Sequence, residues 1–156
     1  MAYALAHESA EDPVVDDDDA EGASAYLADF LRVFGGCGID VLLLQEPPGK
    51  SQSALDDPSY VPLANLSLHY RWNLGVRSQH VVAGGDPRGL SFAISPVAAS
   101  LPIELGLEVP PAFWSGEPLS PSKGSFLFAE IPEDTVPESV LERLGGMRES
   151  LGRQSP

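Results

Sequence analysis

The run "IDVLLLQEPPGKS", Ile39 to Ser51, decides how the rest of this chain is read. Ile39–Gln45 is too short for a helix, and its apolar residues occupy both alternating sets of positions. That pattern predicts a strand buried on both faces, as in a parallel sheet. The Gly49-Lys50-Ser51 triplet after it raises the question of a nucleotide phosphate. A phosphate loop needs a glycine five positions before the second one, and that position is Leu44. Pro47 and Pro48 also lack the N–H groups that would wrap an anion. The phosphate-loop reading fails, and no cofactor motif replaces it. What remains is Glu46, a carboxylate delivered at the end of a strand.

Outward from this strand the chain alternates. Ala23–Gly35 carries Tyr26, Leu27, Phe30, Leu31 and Phe34 at helical spacing, with Ser24 as N-cap. Downstream, Leu63, Leu66, Tyr70 and Leu74 predict a second helix, with Pro62 in its first turn and Gly75 as its stop. Gln79–Ala83 reads as the next strand, ending in a glycine-rich turn. Leu90–Ser95 is a third strand or a short helical piece, and the proline-rich stretch after it is irregular apart from a short strand near Ile103–Leu105. Ser125–Pro132 is a strand. The last helix has Thr135 as cap, Pro137 in its first turn, and Val140, Leu141 and Leu144 toward the core; Gly145-Gly146 interrupts or ends it. This order is that of an α/β protein. A full eight-fold barrel takes about 250 residues, so the expected architecture is a partial (half) TIM-type barrel or a small open parallel sheet with flanking helices.

The chain has 9 Lys and Arg against 23 Asp and Glu, a formal net charge of −14. Nucleic acid and anionic membrane reward clustered cations and are excluded as partners on this ground. No Lys or Arg precedes Arg32, while Asp16–Asp19 form an acidic block. Residues 1–22 are therefore expected as a solvated, disordered acidic segment, 23–149 as the α/β domain, and 150–156 as a tail. Cys37 is the only cysteine, so neither an internal disulfide nor a cysteine-based zinc site can be built. The N-terminus lacks a basic region and a long apolar core, and no run is long enough to span a membrane. A cytoplasmic location is expected.

Three segments in order carry a family resemblance: "DVLLLQEPP" (Asp40–Pro48), "PLANLSLHYRWNLGV" (Pro62–Val76) and "SQHVVAGG" (Ser78–Gly85). Together they resemble the later strands of the superfamily of uroporphyrinogen decarboxylase and cobalamin-independent methionine synthase. The resemblance spans roughly Ala23 to Leu144 and implies the C-terminal half of a barrel. It implies a pocket for an organic acid or a methyl donor, with decarboxylase or methyltransferase chemistry if the domain is active. Glu46 matches the strand-end acid that contacts an amino-acid substrate in the synthases. His80 matches their zinc histidine, but Val82 stands where the zinc cysteine would be, so no metal is implied.

Each candidate has a functional and a plain reading. Glu46 is a ligand-facing acid or proton carrier, or a solvated loop carboxylate. His80 is an acid–base group, or a hydrogen-bonded core histidine. Asp86 and Arg88 grip a substrate anion, or shape the turn "GGDPRG". Against the enzyme reading stands a non-catalytic, truncated α/β module. Its uncovered strand edges would be closed by self-association or by a partner chain.

Overall fold

A computed structural model describes residues 17–47, 55, 57–79, 87, 89–97, 100–119 and 124–152. Its centre is one five-stranded sheet, all parallel, with strands in chain order: β1 (Val41–Gln45), β2 (Asn73–Arg77), β3 (Phe92–Ser95), β4 (Glu104–Glu108) and β5 (Phe126–Phe128). Among the described residues three α-helices accompany it: α1 (Asp17–Leu31), α2 (Val61–Tyr70) and α3 (Pro137–Gly152). The fold is an α/β open parallel sheet with flanking helices, the architecture expected of a half-barrel.

Register and the two-residue period of a strand sort the sheet into two faces. One carries Leu42, Leu44, Leu74, Val76, Ala93, Leu105, Leu107 and Leu127. Leu74, Val76 and Ala93 are completely buried there. Leu63, Ala64 and Leu66 of α2, Ala28 of α1, and Leu55, Leu90, Leu101 and Ile103 from the connections join the same core. A second cluster forms around Val109, Phe113, Trp114 and Met147, with Leu127, Val140 and Leu144 against it. All four strand connections thus contribute to one face. Each buried Leu or Val there contributes about 1.5–3 kcal/mol.

The opposite face carries Val41, Leu43, Gly75, Arg77, Phe92, Ile94, Gly106, Glu108, Phe126 and Phe128. It has no helix over it among the described residues. Its filling is aromatic: the Phe92 ring lies over Gly75 and the Phe126 ring over Gly106, where a Cβ would come within 2.1 and 2.3 Å of ring carbons. The two rings meet edge to face with centroids 5.7 Å apart. Two glycines in strand interiors, ordinarily weakening, here make room for these rings.

Several expectations are corrected. β1 is an edge strand, and Val41 and Leu43 are exposed (51% and 37%), so the apolar run is not buried on both faces. An apolar run reports strand propensity, not whether a second layer exists. The helix α2 ends at Tyr70, before Gly75, because Arg71 adopts the left-handed conformation (φ 60°) and its N–H bonds back to the carbonyl of Leu68. The next strand among the described residues is Asn73–Arg77, where the sequence had suggested the end of a helix; of the expected strand Gln79–Ala83 only Gln79 is described, and the rest lies outside the described residues. The helix α1 begins at Asp17, so residues 17–22 of the expected disordered segment are helical; aspartates suit a helix N-terminus. It turns Ser24 and Ala28 inward and leaves Tyr26, Leu27 and Phe30 exposed. The helix α3 runs unbroken through Gly145-Gly146 and past position 150, with Leu141 outward at 72% exposure. Among the described residues no helix is long and apolar enough to cross a membrane.

Candidate functional site at the carboxyl ends of the strands

Parallel α/β sheets place ligands beyond the carboxyl ends of their strands. At that edge here, β1 delivers Glu46, β2 delivers Arg77, β4 ends on Glu108, and Glu130 lies two residues past β5. Glu46 continues the ladder, its N–H donating to the carbonyl of Arg77 at 3.0 Å. The side chains of these two neighbours belong to opposite faces of the sheet.

On the bare face, Arg77 is the hub. Its Nε donates to Glu108 Oε1 at 2.6 Å, while Nη1 and Nη2 donate to the two carboxylate oxygens of Glu130 at 2.6 and 2.8 Å. The guanidinium also sits 5.1 Å above the Phe128 ring. Arg77 and Glu108 are largely covered, whereas Glu130 is 63% exposed. The hydrogen bonds to Glu130 and then Glu108 hold the Arg77 proton more firmly than usual, although arginine is charged at any working pH in either case. The same bond holds Glu130 below the ordinary carboxylate range. Three of the five guanidinium N–H groups are used, and one fork is closed by a carboxylate on an exposed, replaceable residue.

On the covered face, the Tyr60 hydroxyl donates to Glu46 Oε1 at 2.5 Å. Tyr60 closes a short 3₁₀ turn (Pro58–Tyr60) whose N-cap is the buried Asp57; that carboxylate accepts from Ser59 N at 2.9 Å and Ser59 Oγ at 2.6 Å. Burial, the bond to Glu46, and the nearby charges of Glu46 and Asp57 all push the phenol well above its usual range. The pair is thus a neutral donor locked on an acceptor.

Of the residues singled out in the sequence, Glu46 stands at the strand end. His80, Asp86 and Arg88 lie outside the described residues, as does the Gly49-Lys50-Ser51 triplet. Sequence reasoning missed Arg77, Glu108, Glu130 and Tyr60. The signal available for Arg77 was slight: a cation beside apolar residues in an acidic chain. Among the described residues no group of three or more His, Cys, Asp or Glu is gathered to hold a metal ion. Compared with protein-family models, with curated proteins and with solved structures, the chain matches none.

Proposed function

We propose that this chain is a small-molecule-binding half-barrel domain of the uroporphyrinogen decarboxylase and methionine synthase type, taking a small organic acid at the carboxyl ends of its strands. One observation carries the reading. Glu130 occupies the Arg77 fork with the bidentate geometry that a ligand carboxylate would use. Arg77, Glu108 and Glu130 together carry one net negative charge, so an acid enters by replacing Glu130, not by adding to it. On the other face, Glu46, held by the neutral Tyr60 donor, is the proton-handling group, or the grip for the amino group of an amino-acid-like ligand. Decarboxylation or methyl transfer is the reaction class this kinship suggests, with Glu46 and His80 as its acid–base residues and Asp86 and Arg88 on the substrate.

The test is calorimetric titration with succinate. Arg77→Gln weakens binding at least about tenfold, the loss of a bidentate ionic contact. Glu130→Ala, which frees the fork, tightens it. Equal affinity in the wild type and both variants refutes the assignment.

A second reading is favoured by a different observation. The edge strand β1 exposes Val41 and Leu43, α1 exposes Tyr26 and Phe30, and the 3₁₀ turn after it (Arg32–Phe34) exposes Val33. A non-catalytic module closed by self-association would cover such surfaces. Under this reading Leu43→Lys converts an oligomer to a monomer in light scattering; a wild type that is already monomeric excludes it.

A further inference from the structure

A second groove, of about 580 Å³, opens between α3 and the turn that follows β4. Its walls are Phe113 and Trp114 from that turn, Leu119 beyond it, and Ser139, Arg143 and Met147 on one face of α3. Three features distinguish it from an ordinary surface furrow. The first is Trp114. This residue is 92% buried (8% exposed), and its indole Nε1–H is sealed from water with no acceptor among the described residues. A buried donor left without an acceptor is unfavourable, which marks this wall of the groove as unusual.

The second feature is Arg143. Its guanidinium stacks 5.6 Å above the Phe113 ring, and Gly116 lets it approach: a Cβ there would lie 2.9 Å from Nη2. Gly116 also has φ 114°, a conformation other residues rarely adopt. Arg143 takes part in none of the salt bridges among the described residues, in a chain of net charge −14. The third feature is Gly146, which lines the groove with open space where its Cβ would stand. A glycine inside an unbroken helix is unfavourable against alanine. Here its missing side chain keeps the groove empty.

We propose that this groove binds an apolar monocarboxylate, independently of the Arg77 site. The carboxylate meets Arg143, while the hydrocarbon lies along Phe113, Leu119 and Met147, beside the Trp114 ring. Its lower end is apolar (Leu119, Met147), so a second carboxylate at the far end of the ligand would lie against hydrocarbon, and a dicarboxylate is expected to bind less tightly.

Octanoate is the probe, with octanol and suberate as controls, titrated against the full chain by calorimetry and by tryptophan fluorescence. Trp72→Phe leaves Trp114 as the only emitter, since the chain has two tryptophans. Octanoate is expected to bind and perturb that emission, with octanol and suberate at least about tenfold weaker, because the first lacks the ionic contact and the second carries a charge that would lie against hydrocarbon. Arg143→Gln weakens octanoate by a similar factor. Gly146→Leu removes binding while raising the melting temperature, since it fills open space and favours the helix; this separates blockage from misfolding. Octanol binding as well as octanoate, or octanoate unaffected by Arg143→Gln or by Gly146→Leu, overturns the assignment. So does the absence of any octanoate signal in the folded wild type.

Discussion

Replacing Gly75 by alanine tests the packing of the bare sheet face directly. The new Cβ would stand 2.1 Å from Cζ of Phe92, with two more ring carbons within 2.6 Å. Non-bonded carbons rest at about 3.5–4.0 Å, so the ring must retreat by about 1.5 Å. It cannot retreat freely toward β4, because the Phe126 ring stands there, edge on, and itself covers Gly106. Overpacking of this kind costs about 1–3 kcal/mol. Against it, alanine in a strand interior gains about 0.5–1 kcal/mol over glycine. The net expectation is a loss of up to about 2.5 kcal/mol. The same substitution in a Phe92→Ala background has no ring to displace and keeps only the gain, so its sign reverses. Urea unfolding followed by circular dichroism in both backgrounds reads this as a double-mutant cycle. If Gly75→Ala has the same effect with and without Phe92, the ring does not lie over Gly75 and the description of this face is wrong.

Leu74→Ala, at a completely buried position, lowers unfolding free energy by about 2–5 kcal/mol in the same assay. Arg77→Met leaves the largely covered Glu108 without its cation and costs about 1–3 kcal/mol at neutral pH, measured by thermal unfolding; no loss would show the pair to be idle. Glu130 titrates below the ordinary carboxylate range, so its contribution is present above that range and fades as the solution is acidified; Glu130→Gln removes this part of the acid slope, read by melting temperature against pH. The raised phenol of Tyr60 has the opposite consequence: its contribution is complete below the usual tyrosine pKa of about 10 and is lost as pH rises beyond it. In an alkaline absorbance titration one of the four tyrosines stays protonated until the fold gives way, and Tyr60→Phe abolishes that late fraction.

The sequence revealed the kind of fold better than its layers. Val41–Gln45 and α3 were legible because a β-period apolar run and a proline-started helix are local signals. The end of α2 was not: a left-handed Arg71 has no compositional mark, so Leu74 and Gly75 read as the helix's last turn and its stop. The helical spacing of Tyr26, Leu27, Phe30, Leu31 and Phe34 was legible, but only Leu31 and Phe34 pack against the core, alongside the small Ala28, and the assembled core decides which positions are covered. Glu46 was legible as the acid after an apolar strand. Arg77 with Glu108 and Glu130 was not, because those partners lie 31 and 53 residues away and meet only through strand register.

Each strand of this sheet lies beside the one synthesised just before it. A chain emerging from the ribosome therefore pairs every new strand with a neighbour already made, and no strand waits for a distant one to close the ladder. The outermost strands, four spacings of about 4.8 Å apart, end up about 19 Å from each other. Growth by accretion follows: among the described residues both flanks of the sheet are open to a further strand–connection unit, and adding or losing one leaves the inner pairing untouched.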